Sequence, residues 1–247
     1  MTPPRWERDR AWRVFAFFAL PVLSATVKLR FHDGHKLPST GAFILAPNHY
    51  SNFDPVVVGL SMYKLGRVPR FLAKASLFRI PVFGKLIMHG LGHIPVERSG
   101  RGANPLAAVS DISERGLAVL IYPEGSLTRD PDLWPMRGKT GAVRAALENG
   151  VPIIPAAHWG TQAIMPRYSK KPSIFPRKTV DVIIGDPVDL SQWQDRPRDA
   201  ATLAEATDAV MAAITGLVEQ LRNETAPPVR WNPAEHGQTE FGRPDGS

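Results

Sequence analysis

Short apolar runs alternate along this chain with longer segments in which apolar residues recur every three or four positions. Such runs are typical of buried strands, whereas the longer period is that of helices. The alternation predicts an α/β fold, a largely parallel or mixed central sheet covered by helices. The predicted strands are Phe43–Ala46, Arg70–Ala73, Val119–Ile121, Ile153–Ala157 and Thr179–Ile184, and the predicted helices are Pro55–Leu65, Pro105–Arg115, Thr140–Glu148 and a last one through Leu203, Val210, Ile214, Leu217 and Leu221.

The two ends of the chain depart from this pattern. Residues 225–247 are polar and contain Pro and Gly, so we expect a disordered tail after one domain of residues 31–224. Residues 1–30 carry six basic and two acidic residues around the uncharged run Val14–Val27. This run of 14 residues is too short to span a bilayer, which takes about 20. It predicts a membrane-interfacial helix, bent at Pro21, with basic flanks on anionic headgroups.

A histidine and a carboxylate five positions apart follow the first predicted strand, at the edge where α/β folds place their chemistry. On a continuous helix His49 and Asp54 would point about 140° apart, so they can meet only if the chain turns between them. Ser51 and Asn52 are residue types that favour such a turn. Asp54 would then orient one imidazole nitrogen and leave the other for a substrate. The alternative is that Asp54 only caps the helix that begins at Pro55.

The chain lacks the nucleophile that would complete a hydrolase triad. It has no cysteine and no Gly-x-Ser-x-Gly motif. A His-Asp pair without its own nucleophile indicates that the pair activates a hydroxyl group of the substrate. The absence of cysteine also agrees with a reducing compartment.

Four further stretches accompany Asn48-His49-Tyr50-Ser51-Asn52-Phe53-Asp54 in a recognisable order. Together they resemble the glycerolipid acyltransferases, in particular the bacterial 1-acylglycerol-3-phosphate (lysophosphatidic acid) acyltransferases. The resemblance extends from about Phe43 to Ala157, and more weakly to about Leu221. The four stretches are Phe71–Gly84, Gly92-His93-Ile94-Pro95-Val96-Glu97-Arg98, Ile121-Tyr122-Pro123-Glu124-Gly125-Ser126 and Val151-Pro152-Ile153-Ile154-Pro155-Ala156.

The resemblance implies a role for each matching position. It makes His49 the general base and Asp54 the residue that orients it. It associates Lys74 and Arg98 with the phosphate of the acyl acceptor, a task that suits cations and above all the planar guanidinium group. Both cations follow segments that look like strands, so we expect them at strand ends, close to one cleft.

The resemblance also makes Glu124 and Gly125 part of a block that helps to bind the acceptor and shape the site. In the family an arginine follows two positions after this glycine, and here none does. We expect Arg129 to reach the phosphate from a longer loop, or the hydroxyl groups of Ser126 and Thr128 to do part of that work.

Histidine spacing offers a competing interpretation. His89, His93 and Glu97 are successively four positions apart, a spacing that would suit zinc on a helix. Two glycines and a proline interrupt such a helix, and Ile94–Val96 indicates a strand, so we expect no metal site. The remaining histidines, His158 among them, have no partner at an informative spacing.

The net charge of +7 has a second concentration near Arg167–Lys178, where basic residues alternate with aromatic ones and acidic residues are absent. We expect this stretch to make a second membrane contact. No nucleic-acid-binding module accompanies it, so a nucleic-acid partner is not expected. The N-terminal run could instead be a signal peptide, but the chain continues from Lys28 without a linker into Leu29–Phe31, which looks like part of the fold.

The sequence therefore predicts a monotopic acyltransferase on the cytoplasmic face of the membrane. It would move a fatty-acyl group from acyl-CoA or acyl-carrier protein to the free hydroxyl of lysophosphatidate or a related glycerophosphate, in phospholipid biosynthesis. Backbone amides near Asn48 or Gly125 are candidates for binding the developing oxyanion. The acyl carrier is a cosubstrate, and no metal or prosthetic group is expected. The alternatives are a non-catalytic membrane-associated lipid-binding protein and an acyltransferase for another lysophospholipid or glycolipid.

Overall fold

A seven-stranded sheet forms the centre of the protein. The computed structural model describes residues 10–82, 84–96, 109–110, 113–169 and 171–239. The strands are β1 (Val27–His32), β2 (Phe43–Pro47), β3 (Pro69–Lys74), β4 (Ile94–Val96), β5 (Ala118–Leu120), β6 (Ile153–Trp159) and β7 (Lys178–Ile184). They lie in the order β1-β7-β6-β2-β5-β3-β4. All five strands predicted from the sequence are confirmed within one or two residues.

Neighbouring strands are parallel except for β6 and β7, which are antiparallel. Because β1 is parallel to β7, these two strands are antiparallel to the other five. The sheet is thus mixed and largely parallel, as the sequence predicts. β2 lies between β5 and β6, so the loop after β2 starts near the middle of the sheet.

Helices cover both faces of this sheet. Alternate residues of β2 point in opposite directions: Phe43 and Leu45 pack in one core cluster, and Ile44 and Ala46 in the other. All four are buried, which explains why this strand is a continuous apolar run. The α-helices described from end to end are α1 (Arg10–Thr26), α2 (Asp54–Lys64), α3 (Ala75–Phe78), α4 (Gly141–Asn149), α5 (Ser191–Gln194) and α6 (Ala200–Arg222). Helices α1 and α2 join the first cluster, and α4 and α6 join the second.

Helix α6 is the one helix among these that is long and apolar enough to cross a membrane by length and composition. Its apolar face is buried in the core through Leu203, Val210 and Ile214, and it contacts β6 and α4. This arrangement is that of a core helix, as predicted. Of the predicted helix Pro105–Arg115, residues 109, 110, 113 and 114 are helical, and residues 105–108, 111 and 112 lie outside the described residues.

The N-terminal segment is attached to the domain more firmly than a boundary at residue 30 suggests. Helix α1 continues through Pro21 to Thr26, and β1 follows directly and pairs with β7. Trp12 is buried, and its indole Nε1 donates a hydrogen bond to the carbonyl oxygen of Leu91 at 3.0 Å. The predicted boundary is therefore wrong: β1 belongs to the sheet, and one face of α1 belongs to the core.

The expected disorder from Thr225 onward is also wrong for residues 225–239. The backbone N–H of Arg137 donates to the carbonyl oxygen of Trp231 at 2.9 Å, and Pro233 is buried in a short 3-10 helix, Pro233–His236. The rings of Trp231 and His236 stack at 3.5 Å between centroids. A polar composition did not reveal these contacts, which attach the segment to the domain. Residues 240–247 lie outside the described residues.

Candidate active site

Three loops at one edge of the sheet bring the candidate site together. The loop after β2 carries Asn48 to Asp54, the loop after β5 carries Tyr122 to Asp130, and the end of β6 leads to Thr161. These three strands are parallel neighbours, so their carboxyl ends lie at the same edge. Residues more than 100 positions apart in the sequence thus become neighbours where open α/β sheets place their ligands.

His49 and Asp54 form the predicted pair. The Nδ1 atom of His49 lies 2.9 Å from Oδ2 of Asp54. Asp54 is fully buried, and the His49 side chain is 16% exposed. An ionised carboxylate can only accept, so Nδ1 carries the proton and Nε2 has a lone pair. Among the described residues no side chain or backbone group hydrogen-bonds to Nε2, which leaves it available to a substrate.

The Asp54 carboxylate has four further contacts that hold it in place. Its Oδ2 accepts hydrogen bonds from the backbone N–H groups of Tyr50 and Ser51, both at 2.8 Å. Its Oδ1 accepts one from the hydroxyl of Thr161 at 2.6 Å. The imidazole Nε2 of His158 lies 3.8 Å from Oδ2. The predicted N-cap role is wrong, because Asp54 is already the first residue of α2 and its carboxylate turns back toward the preceding loop.

Asp54 is held in its ionised form. Burial by itself raises the pKa of this carboxyl group, but the positive potential of the imidazoles of His158 and His49 and the hydrogen bonds from His49 and Thr161 lower the pKa below its ordinary value. The fixed negative charge can stabilise an imidazolium at His49. The pair is therefore arranged to take up a proton at Nε2.

Tyr122 forms one wall of the site. Its ring stacks on the His49 imidazole with 4.0 Å between centroids and an angle of 21° between planes. Burial, followed by the charge of Asp54, raises the pKa of the Tyr122 hydroxyl well above its ordinary value. The ring fixes the plane of the imidazole and covers one of its faces. Spacing along the chain could not indicate this contact, because the two positions are 73 residues apart.

Glu124 shapes the site from inside the fold, as the resemblance implies. It is 1% exposed, and its two oxygens accept hydrogen bonds from the backbone N–H groups of His49 at 2.8 Å and Met136 at 3.0 Å. Burial raises the pKa of Glu124 to about 8, against the opposing effect of these two bonds. Gly125 follows with φ +71°, and a Cβ atom there would lie 2.9 Å from Cδ of Lys139. A glycine is therefore required at this turn.

The loop that lacks the family's arginine is attached directly to His49. The backbone N–H of Thr128 donates to the carbonyl oxygen of His49 at 2.7 Å. The Thr128 hydroxyl donates to the carbonyl oxygen of Trp134 at 2.6 Å, so its expected contact with phosphate is not supported. Ser126 is half-buried, and Arg129 is 3% exposed. This loop therefore lies close to His49. The contact of Arg129 with the phosphate of the acceptor stays a prediction.

The sequence predicts oxyanion donors among the backbone amides near Asn48 or Gly125. The N–H of Gly125 donates to the carbonyl oxygen of Tyr122 at 3.0 Å, so it is already engaged. Asn48 is buried, and its side-chain amide donates to the carbonyl oxygen of His158 and accepts from the backbone N–H of that residue. The Asn48 side chain thus joins the loop after β2 to strand β6.

Lys74 lies at the end of strand β3, which is a neighbour of β4 in the sheet. Lys74 is the last residue of β3, and its backbone pairs in register with Val96 at the end of β4. The structure describes the backbone of Lys74 but not its side chain, and Arg98 lies outside the described residues. Their contact with phosphate stays a prediction.

The alternative zinc pattern does not form one helical face. His89 ends a π-helical segment, Gly84–His89, and β4 begins at Ile94, as the sequence indicates. The Nδ1 atom of His93 accepts from the backbone N–H of Phe71 at 3.3 Å. Burial, followed by the charge of Arg70, lowers the pKa of His93 to about 4. Glu97 lies outside the described residues.

His158 is the residue that sequence reasoning missed most clearly. It is fully buried at the end of β6 and lies against Asp54, Asn48 and Tyr50. As expected, none of these partners lies at an informative spacing in the sequence. Because 104 residues separate it from Asp54, only the pairing of β6 with β2 brings the two side chains together. No spacing in the sequence could have indicated the contact.

The chain is similar to known acyltransferases. Residues 28–159 match the family described as Acyltransferase. A Haemophilus influenzae 1-acyl-sn-glycerol-3-phosphate acyltransferase is 31% identical over 81% of this chain and 79% of its own length. The Bacillus subtilis protein of the same name is 25% identical over 81% of this chain and 93% of its own. The crystal structure of the 1-acyl-sn-glycerophosphate (LPA) acyltransferase PlsC from Thermotoga maritima matches with a TM-score of 0.62 and 22% identity, over 87% of this chain and 81% of that one.

The fold and the buried His-Asp pair define an α/β protein with a candidate catalytic site at the carboxyl edge of its sheet. The chain belongs to the acyltransferase family, whose match covers more than half of its residues. It spans 42% and 49% of the length of two chloroplast relatives, from Brassica napus and Arabidopsis thaliana, which are named 1-acyl-sn-glycerol-3-phosphate acyltransferases.

Proposed function

We propose that the protein transfers a fatty-acyl group from an acyl thioester to the free hydroxyl of lysophosphatidate, a step of phospholipid biosynthesis. The observation that carries this proposal is the pairing of His49 Nδ1 with the buried Asp54 carboxylate at 2.9 Å, which leaves Nε2 available. The names of the relatives supply the substrate class.

The chemistry follows from the orientation of His49. Its Nε2 accepts the proton of the acceptor hydroxyl as the hydroxyl oxygen bonds to the acyl carbon. The resulting imidazolium is stabilised by Asp54. When the tetrahedral intermediate collapses, the carbon–sulfur bond breaks and the departing thiolate takes the proton from His49. Ser51 is not placed to act as a nucleophile, because its hydroxyl donates to the carbonyl oxygen of Met165 at 2.7 Å.

Two cationic side chains near Glu124, Arg137 and Lys139, were not assigned to the site from the sequence. A cleft of about 270 Å³ lies beside Glu124 and is lined by Arg137, Lys139 and Thr140. Lys139 packs on Gly125, next to the loop that lacks the family's arginine. This cleft supports the proposal that an anionic substrate binds here, together with the cations expected at the ends of β3 and β4.

Substitution of those cations should change acceptor preference. We expect Lys74→Gln and Arg98→Gln to lower kcat/KM for lysophosphatidate by at least about tenfold, because a charge-assisted contact in a desolvated cleft is lost. An uncharged monoacylglycerol should be affected much less. Parallel assays with the two acceptors measure the difference. The exposed residues Lys64 and Arg144 provide matched controls as glutamine variants.

The zinc interpretation makes the opposite prediction for the same assay. If a chelator abolishes transfer while Lys74→Gln and Arg98→Gln leave both acceptors unaffected, the phosphate assignment is wrong. Equal losses for the charged and the uncharged acceptor would also contradict it, since they would indicate a general defect.

We further propose that α1 places the enzyme on the cytoplasmic face of the membrane. One side of the helix is buried through Trp12, Ala16 and Leu23, while its other side carries a stripe of exposed apolar residues. The guanidinium of Arg177 donates to the carbonyl oxygen of Val27 at 3.4 Å, which brings the second predicted contact next to the end of α1. The exposed apolar residues are Val14, Phe17, Phe18 and Val22 on α1, and Ile174 and Phe175 in the second contact.

Polar substitutions on the exposed stripe should weaken membrane binding without unfolding the domain. We expect Phe17→Ser/Phe18→Ser to lower the partition coefficient onto anionic vesicles by at least about tenfold, because each fully buried aromatic contributes about 1.5–3 kcal/mol. The loss should persist in high salt, which screens only the ionic contribution. Sedimentation with vesicles measures the effect.

Val229→Ser is the control for this measurement, since Val229 is 74% exposed and lies outside α1. Deleting α1 would be a poorer test, because it would also remove buried Trp12 from the core. If the double variant sediments as well as the unaltered protein in high salt, the exposed stripe is not the membrane contact.

The proposed reaction is tested with purified protein, an acyl thioester and a panel of acceptors. Thiol release should depend on lysophosphatidate, and the lipid product should have the mass of phosphatidate. If only another lysophospholipid or a glycolipid is acylated, that lipid is the acceptor and lysophosphatidate is not. Binding of lysophosphatidate with no thiol release in any arm would favour a non-catalytic lipid-binding protein.

A further inference from the structure

A second histidine lies behind the catalytic pair and takes no part in the proton transfer described above. His158 is fully buried. Its Nε2 lies 3.1 Å from the carbonyl oxygen of Asn48, and its Nδ1 lies 3.1 Å from the hydroxyl oxygen of Tyr50. The distance of 3.8 Å from Nε2 to Asp54 Oδ2 is too long for a direct hydrogen bond.

The partners of His158 determine where its proton lies. A carbonyl oxygen can only accept, so the bond to Asn48 requires a proton on Nε2. Burial lowers the pKa of His158, although the charge of Asp54 opposes the effect, so the ring is neutral. Its Nδ1 is then an acceptor for the Tyr50 hydroxyl, whose single hydrogen is shared with the carbonyl oxygen of His158 at the same distance of 3.1 Å. The ring is thereby fixed in one orientation.

These contacts immobilise the residue that precedes the general base. The side-chain amide of Asn48 donates to the carbonyl oxygen of His158 at 3.2 Å and accepts from the backbone N–H of His158 at 3.0 Å. The Asn48 carbonyl accepts from the His158 ring, and the next N–H, that of His49, donates to Glu124 at 2.8 Å. Both ends of the Asn48–His49 peptide group are therefore held by buried side chains.

The direction of the His49 side chain depends on this peptide group. If the Asn48 carbonyl lost its partner, the peptide plane could rotate, and His49 would move relative to Tyr122 and Asp54. Misplacement of a catalytic group by about 1 Å can lower the rate by about 10²-fold. A buried carbonyl oxygen without a donor would also favour such a rotation.

We propose that His158 is a positioning residue that orients the general base by donating its Nε2 hydrogen to the carbonyl oxygen of Asn48. This inference rests on the proposed acyl transfer. It predicts that kcat depends on a donor at the Nε2 position, whereas the affinity for the acceptor does not. The imidazole itself is not required.

Two amide variants distinguish the role of Nε2 of His158 from that of Nδ1. A glutamine side chain extends about as far as Nε2, and an asparagine extends only as far as Nδ1. We expect His158→Gln to keep kcat within about threefold of the unaltered protein, because its amide can still donate to Asn48. We expect His158→Asn to lower kcat by about 10²-fold with KM for the acceptor nearly unchanged. His35→Gln, at an exposed histidine, should leave both parameters unchanged.

A second measurement, by NMR, does not depend on acyl transfer. The hydrogen-bonded Nδ1 proton of His49 should give a low-field proton NMR signal, assigned by its absence from His49→Ala. This signal should persist in His158→Gln and be weakened or lost in His158→Asn. If the unaltered protein shows the signal but transfers no acyl group, the proposed function fails, and the NMR comparison alone decides the inference.

Circular dichroism establishes that each variant is folded. If His158→Asn does not fold, His158→Met tests the same hydrogen bond, because methionine has no hydrogen-bond donor at the Nε2 position. It should lower kcat and weaken the His49 signal. The inference is overturned if the folded asparagine variant keeps kcat within threefold, if the glutamine variant is impaired as strongly, or if only KM changes.

Discussion

Replacing His49 with alanine should lower kcat for acyl transfer by about 10²–10⁴-fold, the usual effect of removing a general base. In the proposed mechanism its Nε2 accepts the substrate proton, and no other described side chain is paired with a buried carboxylate in that position. The fold should survive, because the His49 side chain lies at the surface of the loop and is partly exposed. Steady-state rates of thiol release measure the effect.

The matched control for this variant is His35→Ala, at an exposed histidine outside the site. Circular dichroism and thermal unfolding should give similar profiles for both variants and the unaltered protein. Undiminished transfer by folded His49→Ala would contradict the mechanism, because no described residue could take its place.

Replacing Asp54 with asparagine should lower kcat by about 10³–10⁴-fold, although the two side chains have nearly the same shape. The amide oxygen can still accept from Tyr50 and Ser51, and the Thr161 hydroxyl can turn to accept from the amide nitrogen. What is lost is the negative charge that orients His49 and stabilises its imidazolium. The kcat of the folded variant measures this loss.

The alanine variant at the same position should affect stability as well. Asp54→Ala leaves the N–H groups of Tyr50 and Ser51 without their buried acceptor, at a cost of about 1–3 kcal/mol for each group. Urea unfolding should therefore rank Asp54→Ala below Asp54→Asn. A cap-only role predicts the same stability ranking but an unchanged kcat for Asp54→Asn, because asparagine caps helices about as well as aspartate and alanine does not. Unchanged kcat in Asp54→Asn would support that role and contradict ours.

Local patterns in the sequence were sufficient to predict the pair itself. His49 and Asp54 are five residues apart, and the turn chemistry of Ser51 lies between them, so their contact needs no distant part of the chain. The strands were predictable for a similar reason, because a strand buried on both faces must be apolar throughout. The sequence also indicated the mixed sheet, but not which strand runs antiparallel.

Contacts between distant segments were not predictable. His158, Thr161 and Tyr122 reach the site only because β5 and β6 flank β2, and sheet order cannot be read from composition or spacing. The segment around Trp231 was expected to be disordered because its composition is polar. Its order comes from a backbone bond with Arg137. The N-cap expectation for Asp54 failed because the same residue type can turn toward the helix or toward the loop before it.

The central claim is that the His49–Asp54 pair activates the hydroxyl of the acceptor directly, without an acyl-enzyme intermediate. It is tested by incubating the protein with an acyl thioester in the absence of acceptor and measuring the mass of the intact protein together with thiol release. We predict no increase in protein mass and no burst of thiol until lysophosphatidate is added, and no transfer by His49→Ala after its addition. A stoichiometric burst of thiol with an acyl group attached to the protein would contradict the account.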